Sequence, residues 1–383
     1  MSGFPGKRVL VVQRRLTHYR LPFFEALKTC LADRGCQLVL AHGEPSDTER
    51  AKSDTGDLNW AERLETRYWF GDRVCWQPFG ALMRQADMTV VTAENKLLYN
   101  LVAQSSLNAG RVALWGHGAN LQGDPGSLRE RFKRFTAQRA DWWFGYTDLS
   151  VPLIERSGFP AERISVLNNT IDTAEMVAMR ARVDDERVAQ VRRALGLTTE
   201  NVGIYVGSLY AEKRIDFMLD AAAEVRRRVP DFEFLIVGGG AQADRVIRFC
   251  AENPWARYLG VLKGQDKIDV LAISKVMVNP GAVGLGILDA FVCHVPMVTT
   301  ACGMHGPEIA YIESGHNGAI TENAVADYVA VVCAVLSDNA FYARLVAGCV
   351  ESAARYSLKN MTTRFADGVE QCLAVPRYRS APR

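Results

Sequence analysis

The sequence predicts an α/β chain built from two doubly wound parallel sheets, and three observations carry that prediction. Short apolar, β-branched runs alternate with amphipathic helical stretches from one end to the other, the pattern of parallel sheets covered by helices. The chain has 383 residues, and domains mostly run to about 100 to 200 residues, so two cores are expected. No repeat with a period of about 20 to 50 residues is present, which sets aside solenoids and propellers.

In the first half, strands are expected at 7–12, 37–41, 88–92, 111–115, 142–146 and 164–167, with helical stretches such as 21–34 and 128–139 between them. The second half repeats that rhythm at 203–206, 233–237, 258–262, 276–279 and 297–300. A polar helical stretch ends at Leu195-Gly196, with Gly196 placed as a helix C-cap, and a fresh buried strand follows. The expected organisation is a first domain over 1–195 and a second over 196–358. Residues 359–383 form a C-terminal helix, a candidate to pack back on the first domain, and a frayed tail. Ligands of open α/β sheets sit beyond the carboxyl ends of the strands, so residues just after strands should carry the chemistry, and two such domains define one cleft.

Composition narrows the function. With 45 Lys plus Arg against 43 Asp plus Glu, the net charge of +2 lacks the basic excess of a nucleic-acid partner. The 9 cysteines are odd in number, scattered and without metal-ligand spacing, so they are expected to be reduced and mostly buried, and no metal site is expected. No apolar run approaches the roughly 20 residues of a membrane span and no signal-peptide pattern is present, so a cytoplasmic location is expected.

The strongest chemical segment runs from Val276 through Asn279-Pro280-Gly281-Ala282-Val283-Gly284-Leu285-Gly286 to Asp289 and on to Met297. It reads as strand, glycine-rich turn, helix and strand. Free N–H groups and the positive dipole end at such a helix start favour phosphate, and Gly284 and Gly286 let its oxygens approach the backbone. Asp289, three residues after Gly286, is placed to accept hydrogen bonds from ribose hydroxyls. The plainer alternative is a tight turn whose acid only favours the helix dipole. A second segment, Gly207-Ser208-Leu209-Tyr210-Ala211-Glu212-Lys213, puts Lys213 near a helix start, where it either neutralises a diphosphate or is simply solvated.

Together these segments resemble the second domain of the family 4 retaining glycosyltransferases of the GT-B fold. Leu235-Ile236-Val237-Gly238-Gly239-Gly240, Gly306-Pro307-Glu308-Ile309 and Gly315-His316-Asn317-Gly318 extend the resemblance. So do Leu167-Asn168-Asn169-Thr170-Ile171-Asp172, Tyr19-Arg20-Leu21-Pro22-Phe23-Phe24 and Trp115-Gly116-His117-Gly118, the last two similar to first-domain elements of bacterial polysaccharide-assembly members. The resemblance implies two Rossmann-like domains facing across a cleft and transfer of a sugar from a nucleoside-diphosphate sugar to a hydroxyl of a glycan or lipid-linked glycan. It implies retention at the anomeric carbon, with no metal, no further cofactor and no protein nucleophile. Ser208, Lys213, Gly238, Gly284, Leu285, Gly286, Asp289 and Glu308 would then hold the donor, with Lys213 and His117 also serving catalysis, and His18, Tyr19 and Arg20 would meet the acceptor.

The sequence departs from the family pattern at several of these positions. Ser208 stands where an arginine is usual, Gly281 replaces the first glutamate of the glycine motif, and Asp289 replaces the second. The loop from Gln13 to His18 lacks the glycines that commonly approach the diphosphate, carrying Arg14 and Arg15 instead. Glu308 or His305, both in the loop after the strand at 297–300, is expected to compensate for the carboxylate missing at Gly281.

Two further readings complete the picture. In 128–139, Leu128, Phe132 and Phe135 share a face while Arg129, Arg131, Lys133, Arg134 and Arg139 outnumber Glu130. This is either a sheet-covering helix or a peripheral contact with an anionic membrane at its inner face. Gly238 to Ala243 mimics a dinucleotide fingerprint, but the acid expected at the end of the next strand is missing, which argues against an oxidoreductase. A non-catalytic sugar-nucleotide-binding relative, or a transferase acting on a small molecule, stays open as the alternative.

Overall fold

The computed structural model describes residues 6–50, 54–94, 96–105, 110–118 and 135–378. The chain divides into two units, one of Met1–Ile171 with Leu358–Arg383 and one of Asp172–Ser357. The strands of the first are β1 (Lys7–Gln13), β2 (Cys36–His42), β3 (Glu62–Arg63), β4 (Arg67–Trp69), β5 (Val74–Trp76), β6 (Met88–Thr92), β7 (Arg111–Gly116), β8 (Trp142–Gly145) and β9 (Ile164–Val166). Seven of them form one sheet in the order β3-β2-β1-β6-β7-β8-β9, while β4 and β5 make a separate antiparallel hairpin.

Alternation along β1 explains how this sheet is covered on both faces. Val9 and Val11 point into one core and Leu10 and Val12 into the other, as the two-residue period of a strand requires. The first core takes Phe23, Phe24, Leu27 and Leu31 from the helix Leu21–Asp33, and Met361, Phe365, Val369 and Cys372 from the C-terminal helix Leu358–Ala374. Phe365 stacks on Phe144 of β8 with centroids 4.3 Å apart, and Arg34 ties the two helices through Asp367 at 2.6 Å and Glu370 at 3.0 Å. The C-terminal helix therefore packs on the first unit.

The second unit holds β10 (Val202–Val206), β11 (Glu233–Val237), β12 (Ala256–Tyr258), β13 (Val276–Val278), β14 (Met297–Thr300) and β15 (Gly318–Thr321), ordered β12-β11-β10-β13-β14-β15 and parallel throughout. Its core gathers Phe234, Ile236, Val276 and Val298 from the strands with Met218, Ala222, Val225 and Val332 from covering helices. In both sheets the order reverses beside the first strand, between β1 and β6 and between β10 and β13. Such reversals open a crevice at the carboxyl ends.

The structure corrects two boundaries. The division falls after Ile171 rather than at 195, because Asp184 caps the helix Asp185–Ala194 and Arg187 from that helix bonds Asp269 at 2.5 Å, fastening the segment to the helix Gly264–Ala272 of the second unit. The expected strand at 258–262 ends at Tyr258, since Gly260 at φ +67° turns the chain away. All nine cysteines are free. No single helix among the described residues is long and apolar enough to cross a membrane. The candidate membrane segment lies outside the described residues over 128–134, as does the tail over 379–383.

Candidate functional site

In the second unit the loops leaving β10 and β13 flank the point of reversal, and they are bonded into one body. Ala282 N–H donates to the Glu212 carbonyl at 2.9 Å, and Lys213 Nζ donates back to the Ala282 carbonyl. A Cβ at Gly281 would stand 2.4 Å from the carbonyl carbon of Lys213 and 2.5 Å from its oxygen. Only glycine fits there, so no side chain can project from the position where the family carries a glutamate. Burial lowers the Lys213 pKa from its ordinary value, against a smaller opposing effect of Cys302. Arg214, at φ +56°, ties the loop after β10 to the end of β14 through Thr300 Oγ1 at 2.9 Å and to the segment after β15 through Asn323 Oδ1 at 2.5 Å.

His305 locks the glycine-rich loop to the end of β14. Its Nδ1 accepts from Val283 N–H at 3.1 Å, which leaves Nε2 to donate to the Thr300 carbonyl at 2.7 Å. Burial lowers its pKa; the Thr300 bond opposes this, and the charges of Lys213 and Arg214 add to it. With both ring nitrogens committed to backbone, His305 does not replace the missing carboxylate at Gly281. Glu308 is buried in the 3₁₀ turn Pro307–Tyr311, and its Oε2 lies 2.7 Å from where a Cβ on Gly306 would stand. That places its carboxylate against the backbone turn that bonds Val283 through Gly306 N–H at 2.8 Å.

The mouth of this arrangement is open. Cβ atoms added at Gly284 or Gly286 would meet nothing within 4 Å, and the helix Gly286–Cys293 begins without a side-chain cap. Leu285 stands half-buried at that helix start, and Ser208 is exposed on the loop after β10. Asp289 is 8% exposed, with Oδ2 taking a bond from Lys267 Nζ at 2.9 Å and Oδ1 buried without a hydrogen-bond partner. Gly238 is explained within the fold: at φ +149° its missing Cβ would lie 1.8 Å from the Gly207 carbonyl oxygen.

In the first unit the corresponding reversal is crossed by ion pairs. Arg14 bonds Glu49 at 2.5 Å and Glu94 at 3.1 Å, and Arg15 bonds Asp54 at 2.7 Å. Burial, the largest single effect, would raise the Glu49 pKa, but the bond and charge of Arg14 together with the Ser46 N–H and the charge of Arg15 outweigh it and hold the carboxyl at about 2. Arg14 and Arg15, which stand in the loop that lacks the diphosphate-approaching glycines, are neutralised by these acids.

Beyond the ends of β1, β7 and β8 the expected residues come together in part. Arg20 is 6% exposed, with its guanidinium 4.9 Å from the Trp115 ring and 5.7 Å from the Tyr146 ring, while Tyr19 lies beside it at 5.5 Å. His117 packs edge-on against Tyr146 at 4.2 Å and keeps an exposed edge. Burial, then the charge of Arg20, lowers the His117 pKa, with Glu94 opposing. His18 is exposed and turned instead toward the loop at Asp54, with Nδ1 3.3 Å from that residue's carbonyl oxygen. Sequence reasoning missed Lys267, Tyr146 and Arg214, whose importance comes from contacts distant along the chain.

Two doubly wound units, one presenting an open glycine-rich helix start beside a half-buried lysine, are the architecture of the GT-B fold. Residues 200–338 match the family model described as Glycosyl transferases group 1. The chain is 26% identical over 299 residues to a GDP-mannose-dependent alpha-(1-6)-phosphatidylinositol monomannoside mannosyltransferase of Mycolicibacterium smegmatis, covering 75% of this chain and 69% of that one. Its fold is similar to that of Anabaena HepE, solved with UDP, at TM-score 0.69 and 15% identity over 95% of this chain and 99% of that chain. A glycosyltransferase from Rickettsia africae gives TM-score 0.70 and 13% identity over 97% and 99%. The second unit thus carries a glycosyl transferases group 1 domain, and the chain is a glycosyltransferase of the GT-B fold, as its resemblance to family 4 implied.

Proposed function

We propose that the chain moves a sugar from a nucleoside-diphosphate sugar to a hydroxyl of a glycan or lipid-linked glycan in cell-surface polysaccharide synthesis, with retention and without a metal. The observation that carries the donor side of this reading is the open approach at Gly284 and Gly286 beside the half-buried Lys213 ammonium. A diphosphate there meets free N–H groups at the helix start and a cation in surroundings that weaken screening. Lys213 uses one donor on Ala282, and an ammonium has two more to offer. The unpartnered Oδ1 of Asp289 suits a ribose hydroxyl. Support also comes from relatives: HepE is solved with UDP, and the mycobacterial relative is GDP-mannose-dependent.

In the transfer, the bond from the anomeric carbon to the diphosphate oxygen breaks, the acceptor oxygen bonds that carbon on the same face, and the acceptor proton passes to the departing phosphate. Lys213 and the helix start stabilise the charge that develops on the diphosphate. His117, kept neutral near pH 7 by its lowered pKa, offers a hydrogen bond to the sugar. The first unit takes the acceptor through Tyr19 and Arg20, with His18, turned toward the Asp54 loop, at the border of that surface. A cytoplasmic location, at the inner face of the membrane when the acceptor is lipid-linked, belongs to the same proposal.

The test is turnover with UDP-, GDP-, ADP- and dTDP-sugars in excess EDTA, with the anomeric configuration of the product read by NMR. Loss of activity in EDTA, or inversion, would refute the metal-free or retaining part respectively.

A further inference from the structure

Among the described residues of the first unit, the charge of Arg20 has no carboxylate counterpart. Arg20 is 6% exposed, yet its Nη1 meets no hydrogen-bond partner and its guanidinium no carboxylate among the described residues. Neighbouring arginines behave differently: Arg14 is satisfied by Glu49 and Glu94, and Arg15 by Asp54. Arg20 instead lies among the rings of Tyr19, Trp115 and Tyr146 at 5.5, 4.9 and 5.7 Å. These contacts stabilise a cation but give its buried Nη1 no acceptor. Trp115 adds a second buried donor, because its Nε1 is also without a partner. Two unmet donors, one of them charged, create a demand for an acceptor that carries negative charge.

We infer that Arg20 and Trp115 Nε1 form a subsite for an oxyanion on the acceptor, a uronate carboxylate or a phosphate ester. The inference rests on the reading of the first unit as the acceptor-binding one. The position fits that reading, since Arg20 follows β1, Trp115 is next to last in β7, and His117 lies two residues further on, against the same Tyr146. The guanidinium lies over the Trp115 ring at 4.9 Å, and its unpartnered Nη1 and the indole N–H are two donors of the kind that the oxygens of a carboxylate or a phosphate accept from. The aromatic walls suit the apolar face of a sugar ring.

His117 supplies a readout that needs no turnover. The charged groups that act on it are Arg20, which disfavours its protonation, and Glu94, which favours it. An anion seated on Arg20 removes the first effect, so the His117 pKa should rise. The experiment follows the His117 ring resonance by NMR through a pH titration of the full chain, alone and with inorganic phosphate, glucuronate, glucose or UDP. A rise with phosphate alone assigns a phosphate ester, and a rise with glucuronate alone assigns a uronate. No rise with either, or an equal rise with glucose, overturns the inference. A rise with UDP alone also overturns it, by giving Arg20 to the donor. In Arg20→Gln the resting His117 pKa should already be higher and the anion response absent, with Arg20→Lys retaining a weaker response. A persistent response in Arg20→Gln contradicts the assignment. With an active donor and acceptor pair, Arg20→Gln should raise the KM of an anionic acceptor about 30-fold or more while leaving that of its neutral counterpart nearly unchanged. Because the NMR arm is independent of catalysis, its failure leaves the transferase reading standing, whereas an anion response with no transfer in any assay would count against that reading alone.

Discussion

Asp289 accepts a hydrogen bond from Lys267 Nζ at 2.9 Å on one carboxylate oxygen, while the other oxygen is buried without a hydrogen-bond partner. The pair joins the helix Gly264–Ala272 to the first turns of Gly286–Cys293. Lys267 thereby fixes the direction of the free oxygen, a positioning role that the sequence spacing of Asp289 alone does not reveal. Asp289→Ala should raise the donor KM about tenfold, the effect of one lost hydrogen bond to a charged group, with kcat little changed. Lys267→Ala should raise the same KM and also lower stability by about 1–3 kcal/mol, because it leaves a buried carboxylate without its cation. Unchanged donor KM in both variants would remove Asp289 from the site.

The glycines of the same loop should respond in opposite ways. Gly281→Ala forces a Cβ to within 2.4 Å of the Lys213 carbonyl carbon, so it should cost about 1–3 kcal/mol and lower Tm. At Gly284 there is open space, so Gly284→Ala should keep Tm, with stability within about 0.5 kcal/mol of wild type. It should still weaken the donor by occupying the approach. Thermal melts beside donor KM values check this contrast, and a stable Gly281→Ala would contradict the packing described.

Burial lowers the Lys213 pKa below its ordinary 10.5. The sign follows directly: the ammonium is present at low pH and is lost as pH rises through the lowered value, earlier than for a solvated lysine. The ratio kcat/KM for the donor should therefore fall on the alkaline side with an apparent pKa below 10.5. Lys213→Arg should move that limb to higher pH. A flat profile up to pH 10.5 would show that the charge on Lys213 is not used.

His305 is held neutral by burial first, with the charges of Lys213 and Arg214 adding to that effect and the Thr300 bond opposing it. Its folded pKa is below the ordinary 6.5, so the unfolded chain binds the proton first as pH falls. Its contribution to stability is complete above 6.5 and declines as pH falls through the folded value. His305→Ala leaves Val283 N–H and the Thr300 carbonyl unsatisfied, at a cost of about 1–3 kcal/mol, and should flatten that part of the stability profile. Denaturant melts between pH 5 and 7.5 provide the check; parallel wild-type and variant profiles would contradict it.

Much of the fold was legible because its strands are buried on both faces and read as continuous apolar runs, as in Met88–Thr92 and Met297–Thr300. Short elements escaped: β3 is two exposed residues and β15 begins with Gly318-Ala319, so neither carries an apolar run. The segment 172–195 was assigned to the wrong unit because its anchor, Arg187 with Asp269, spans 82 residues. Within the site, the glycine-rich loop and Lys213 were legible as a local pattern. The pairing of Asp289 with Lys267, the lock at His305 and the neutralisation of Arg14 by Glu49 arise from side chains brought together by folding, which no local spacing encodes.

The central claim is that a nucleoside-diphosphate sugar binds at the glycine-rich loop with its diphosphate on Lys213. It is tested most directly by calorimetric titration of wild type and Lys213→Ala with the UDP-, GDP-, ADP- and dTDP-sugar panel. The account predicts that one nucleotide class binds wild type and that Lys213→Ala weakens it about 30-fold or more, as expected when a charge-assisted contact is removed from a partly buried site. Equal affinity of the two proteins for that donor, or no binding of any member of the panel to wild type, would contradict it.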